Sequence, residues 1–161
     1  MEPTYPYAAL HSTPARNLWG TVALLPVCIY YCYGAIGGRS TIFDAVSLFL
    51  REAGHTLGGL VGGEAAPLLG VAVFPLLLPI TTFIFFTIHR FMEGKQLSLF
   101  VLGQSMFEGS GLLAQNESGD WSLVLQHFGY PEAIPVIDNV LVLGGLFVFA
   151  GCLLLPFFEE D

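Results

Sequence analysis

The sequence predicts an all-α fold: a polytopic helical membrane protein with about five transmembrane helices. Three observations carry this expectation. Of its 161 residues 54% are hydrophobic and only 11% are charged, with a mean hydropathy of +0.69, whereas a soluble domain usually carries about 25% charged residues. Several apolar stretches approach the roughly 20 residues with which a helix crosses about 30 Å of hydrocarbon. Strand-like alternation is missing, so helices rather than a closed barrel satisfy the backbone.

Residues 1–17 hold Pro3, Pro6 and Pro14 among aromatics and small polar residues, which reads as an extended arm that lies on the bilayer or a partner. The arm lacks the basic start of a cleavable signal peptide, so the first apolar segment is expected to stay as a membrane helix. That segment, 18–36, has Trp19 at one end and Tyr30, Tyr31 and Tyr33 near the other, as an aromatic belt would place them. The second, 41–62, is long enough to span but contains Asp44, Arg51, Glu52 and His55. The third, 67–88, is almost purely apolar, and Pro75 and Pro79 should kink it. His89, Arg90 and Lys95 then form a short basic loop. The fourth, 97–114, carries Gln104, Ser105 and Glu108. A polar, acidic loop follows over 115–135, in which 121–128 has the periodicity of a short interfacial helix. The last span is 136–158, ahead of the acidic tail 159–161. Residues 18–158 thus form one transmembrane domain.

Cys28, Cys32 and Cys152 fall inside apolar segments, where packing rather than a disulfide is expected. The net charge of −8 would repel nucleic acid. In a five-span arrangement with the N-terminus outside, Arg39, Arg90 and Lys95 lie inside against Arg16 outside. If the second segment is re-entrant instead, leaving four spans, Arg16, Arg90 and Lys95 oppose Arg39. Both arrangements put the acidic loop outside and the C-terminus inside, consistent with a bacterial inner membrane and a cytoplasmic C-terminus.

At about 100° per residue, Asp44, Arg51 and His55 fall within roughly 40° of one another around the second helix, with Glu52 about 60° from His55. Gln104, Glu108, Gly111 and Gln115 share a stripe on the fourth. Ionisable groups at membrane depth cost at least a few kcal/mol unless paired or hydrated, so the two faces should meet. The expected result is an ion-pair cluster of Arg51, Glu52, Glu108 and Asp44, with Arg51 bridged to Glu108 or Glu52. Gly54, Gly58 and Gly62 recur at intervals of four and mark a helix-packing surface, with Gly59 and Gly63 one step round.

The stretch Phe49-Leu50-Arg51-Glu52-Ala53-Gly54-His55-Thr56-Leu57-Gly58 resembles the HExGH helix of membrane-embedded zinc metalloproteases of the site-2-protease type, and of a related uncharacterised bacterial membrane family. In such a helix two histidines four residues apart hold zinc, and the glutamate is the general base on its water. Glu52, Gly54 and His55 match residue by residue. The first ligand position holds Arg51, whose guanidinium has no lone pair to offer a cation. The family's His-Asp-Trp loop motif reads Gly119-Asp120-Trp121 here. The segment Leu102-Gly103-Gln104-Ser105-Met106-Phe107-Glu108 is similar to the family's polar fourth helix, with Glu108 in place of an aspartate.

The resemblance leaves His55, Glu108 and Asp120 as metal ligands and Glu52 as catalytic base if the site is active. With two histidines lost, the first expectation is a catalytically inactive, metalloprotease-like protein. It would need no cofactor and would act as an accessory or scaffold subunit in lipid beside other membrane subunits, with the charge of Arg51 standing where a metal's would. The alternative is a zinc-dependent intramembrane protease using Glu52 and His55, with Arg51 stabilising the oxyanion. Lower alternatives are a transporter or proton path built on Asp44, Glu52 and Glu108, and a pigment or haem held by His55 among Gly54, Gly58 and Gly59. Ser105 and Ser110 have no histidine at a spacing that would activate them.

Overall fold

The computed structural model describes residues 14–36, 41–61, 69–115, 125–126 and 128–158. Within them every regular element is helical. Helix α1 runs Pro14–Ile36 and α2 Asp44–Val61. A π-helical segment, Leu69–Leu77, leads directly into α3, Leu78–Ile88. Helix α4 is Met92–Gln115, and α5, Ile134–Phe158, follows a 3₁₀ turn at Pro131–Ala133.

Several boundaries differ from the expectation for a local reason. The arm was expected to reach residue 17, but Pro14 opens α1, since proline's fixed φ suits the first turn, where its missing N–H is not needed. The kink expected of the third segment takes the form of a change of helix type, with Pro75 inside the wider π-helical stretch and Pro79 in the first turn of α3. Residues 116–124 and 127 of the loop 115–135, with most of the expected short helix 121–128, and the tail 159–161 lie outside the described residues.

The short basic loop shrinks to a tight turn. His89 N–H donates to the Phe85 carbonyl, Arg90 N–H to Thr87, and Phe91 N–H to Phe86, a Schellman ending that uses the last carbonyls of α3. Arg90 takes the left-handed conformation this motif requires, at φ 53°. Helix α4 therefore starts five residues before 97, and Lys95 lies in its first turns, buried at 4% exposure rather than in a solvated loop.

Helix α4 touches each of the other helices and the π-helical segment, most extensively α5. Its crossing with α5 is reciprocal. A Cβ at Gly103 would meet the Phe149 ring at 2.7 Å, and one at Gly145 would meet the Phe107 ring at 2.8 Å. Each glycine thus seats the phenylalanine of the opposite helix and lets the two backbones approach closely. Tyr31 of α1 meets Phe100, Phe107 and Phe149 edge-on, while Phe149 stacks between Phe100 and Phe107 with centroids at 5.5 and 5.6 Å. Cys28 and Cys152 complete this buried cluster, and the three cysteines are free thiols.

Beside this aromatic core lie buried polar residues, while many large apolar side chains are exposed. Lys95, Gln96, Ser98, Gln104, Ser105 and Ser110 are all buried, and all belong to α4. Gln96 knots three helices: its Nε2 donates to Thr21 Oγ1 of α1 and to the Cys152 carbonyl of α5, both at 3.1 Å, and Cys152 Sγ–H donates back to the Gln96 carbonyl. Ser110 Oγ–H donates to the Asp138 carboxylate at 2.7 Å, which ties α4 to α5 a second time. Outside, Trp19, Phe49, Leu60, Ile88, Phe147 and Phe158 are each more than two-thirds exposed. Among the described residues one helix, Pro131–Phe158, is long and apolar enough to cross a membrane; Leu18–Gly34 and Phe74–Ile88 are shorter apolar helices.

Candidate functional site: a polar cluster between α1, α2 and α4

The start of α2 is held by its own chain. Thr41 N–H and Oγ1–H both donate to the Asp44 carboxylate, and Asp44 N–H returns to the Thr41 carbonyl. This is most of a capping box, in which the acid reaches back to the N-cap residue. The next anchor comes from α4: Gln104 Nε2 donates to the Phe43 carbonyl. From α1, the Tyr31 hydroxyl donates to the Gln104 carbonyl at 3.3 Å, with the Asp44 carboxylate in the same neighbourhood. Helices α1 and α4 thereby meet at the start of α2.

Arg51 and Glu108 belong to the same neighbourhood, since the charges that act on Glu108 are those of Asp44 and Arg51. Asp44, Arg51 and Glu108 are each half-buried. The polar stripe of the second helix and that of the fourth therefore meet, and they bring together Asp44, Arg51 and Glu108 from the expected cluster. Glu52 stands apart from them in its surroundings: its side chain is exposed, and its carbonyl accepts the Thr56 hydroxyl at 2.8 Å. The physical reason is the 100° step between neighbours on a helix, which turns Glu52 away as Arg51 turns inward.

His55 has a different neighbour. A Cβ on Gly70 would lie 2.6 Å from His55 Cδ2 and 2.7 Å from Nε2, so the imidazole rests directly on the backbone of the π-helical segment. Helix α2 packs more extensively on this segment than on α4. Gly54 and Gly58 are buried in α2, whereas Gly59 is exposed with open space around it; Gly62 lies outside the described residues.

The donors implied by the metalloprotease resemblance are not brought together among the described residues. The His55 ring faces Gly70, Glu108 faces Asp44 and Arg51, and Asp120 lies outside the described residues. Among the described residues, no three His, Cys, Asp or Glu side chains are grouped to hold a metal ion. A fixed guanidinium beside the remaining carboxylates also opposes a second, divalent charge.

Sequence reasoning passed over three functional neighbours. Tyr31 read as part of an aromatic belt, although it alternates with the more exposed Tyr30 and Tyr33 on its helix. Gly70 is an isolated glycine in the large-residue run Pro67 to Leu78, a signal of close approach. Gln96 gave no signal, since it follows Lys95 just ahead of the apolar segment 97–114. No protein-family model, curated protein sequence or solved structure matches the chain.

Proposed function

We propose that the chain is a polytopic membrane protein that works through contacts, as a catalytically silent accessory or scaffold subunit of a larger membrane assembly. The observation that carries this reading is the combination of polar side chains buried on one central helix with extensive exposed apolar surface among the described residues. The central helix α4 buries a lysine, two glutamines and three serines, while phenylalanines and leucines cover the outside. In water such a surface would be unfavourable, since soluble monomers rarely expose apolar patches beyond a few hundred Å². In lipid it costs nothing, and the polar groups bond one another between helices.

Helices α1, α4 and α5 are 23, 24 and 25 residues long, or about 35 Å at 1.5 Å per residue, which suits the hydrocarbon core. Helix α2 spans or re-enters beside the π-helical segment. The charge pattern favours a cytoplasmic C-terminus in a bacterial inner membrane. Silence in catalysis is supported by Arg51 beside Glu108 and by Glu52, the would-be base, facing outward. The partners are other membrane subunits, which dock on exposed apolar faces such as that of Leu57, Leu60 and the open Gly59.

Purification in mild detergent followed by mass spectrometry and metal analysis tests the proposal. The expected result is a stable companion complex without stoichiometric zinc. A lone monomer containing zinc, with membrane-peptide cleavage that disappears in Glu52→Gln, would instead establish the protease reading.

A further inference from the structure

The polar cluster contains oxygen atoms for which the fold supplies no hydrogen-bond partner. Gln104 Oε1, Ser105 Oγ and Glu108 Oε2 are each buried and unpartnered. Gln104 is fully buried and Ser105 is 4% exposed. These positions lie within about 100° on α4, one turn apart along the axis. The Gln104 amide is held toward the start of α2 by its bond to the Phe43 carbonyl, and Glu108 faces Asp44 and Arg51. Leaving one buried polar atom unsatisfied costs about 1–3 kcal/mol, so three on one face call for a shared occupant.

The charge balance says what kind of occupant. With all three ionised, the carboxylates of Asp44 and Glu108 and the guanidinium of Arg51 sum to −1. A monovalent cation brings the sum to zero, while a divalent ion would leave an excess positive charge at membrane depth. The unpartnered atoms are an amide oxygen, a hydroxyl oxygen and a carboxylate oxygen. They are the hard ligands that alkali and alkaline-earth cations prefer, and a poor set for zinc or copper.

We propose that Gln104, Ser105 and Glu108 bind a small monovalent cation, Na⁺ or an ion of similar size, with Asp44 supplying charge from the opposite helix. The ion takes the Gln104 Oε1, Ser105 Oγ and Glu108 Oε2 lone pairs and completes its shell with water. Arg51 sets the charge of the site at one vacancy rather than two. The site joins α4 to the first turn of α2, so occupancy clamps the helices together and makes the stability of the protein depend on the cation. This inference does not require the accessory role, because it rests on the cluster alone.

The test is thermal unfolding of the full chain in detergent, at one pH and one ionic strength, in NaCl, KCl or choline chloride. Na⁺ should raise the melting temperature over choline by at least about 3 °C and do so saturably, as a ligand of the native state must. Ser105→Ala should move half-saturation to higher Na⁺, and Glu108→Gln should abolish the dependence. If Glu108→Gln does not fold, Gln104→Met serves as the second ligand deletion. Identical melting of the wild type in all three salts would overturn the proposal and assign the three oxygens to buried water. A Na⁺ effect that persists unchanged in Ser105→Ala and in both other variants would overturn it as well, by locating the ion elsewhere.

Discussion

The imidazole of His55 on α2 lies against the backbone of Gly70 in the π-helical segment, so closely that a methyl group there would stand 2.6 Å from Cδ2 and 2.7 Å from Nε2. The ring most open to a ligand in the sequence is therefore a packing element, and the glycine opposite it is its socket.

Gly70→Ala should destabilise the protein by about 1–3 kcal/mol, the usual cost of overpacking. The ring cannot swing away freely, because it lies along the main α2 contact. His55→Ala alone leaves a gap and also destabilises. The double variant should recover a substantial part of the loss, with a coupling of at least about 1 kcal/mol in a double-mutant cycle of detergent unfolding free energies. Strict additivity would show that the two residues do not share a contact.

Gly103→Val should be more damaging than Gly59→Val. At Gly103 a side chain meets both the Phe149 ring and, at 3.3 Å, the Gly145 carbonyl, while Gly59 has nothing within 4 Å. The first should cost about 2–4 kcal/mol or prevent folding, and the second should stay within about 0.5 kcal/mol in detergent. Retention of a bound partner by the folded Gly59→Val protein would further restrict where that partner docks.

Arg51→Met should separate sharply from Glu52→Gln. Removing the guanidinium leaves Asp44 and Glu108 facing each other, and a loss of about 2–4 kcal/mol is expected, below the full value for a buried pair because Arg51 is half-buried. Combining it with Asp44→Asn and Glu108→Gln should restore part of that loss. Glu52→Gln changes an exposed side chain and should shift stability by less than about 0.5 kcal/mol. Equal losses for the two single variants would place Glu52 in the cluster after all.

Arg90→Gly should stabilise. Arg90 holds φ 53° at the left-handed position that ends α3, where glycine has no Cβ penalty. A gain of about 0.5–1 kcal/mol is expected, seen as a rise in detergent melting temperature. A fall would mean that the Arg90 side chain makes a contact worth more than the strain.

The all-helical class was legible because composition and apolar run length report it directly, and helices α1, α2 and α5 follow the segments expected over 18–36, 41–62 and 136–158 with shifted ends. The meeting of the second and fourth polar stripes was legible too, since helical periodicity and the cost of burying charge both require it. Lys95 was not. Its charge next to His89 and Arg90 suggested a loop, but the Schellman turn needs only a few residues and lets α4 begin at Met92. The glycines of the α4–α5 crossing were not legible either. Gly54, Gly58 and Gly62 drew attention by their regular spacing, while the reciprocal crossing uses Gly103 and Gly145, which lie on different helices and share no local pattern.

By itself, the sequence determined that the chain is helical and that α2 and α4 each carry a polar face in need of a partner. Those properties are local sums over composition and a 3.6-residue period. Only the tertiary structure decided that Arg51 and Glu108 share a neighbourhood while Glu52 is exposed, that His55 is seated on Gly70, and that Tyr31 reaches the Gln104 carbonyl of α4. Each of these joins residues far apart in the chain, and one helical step of 100° or one glycine is enough to decide which side chain meets which.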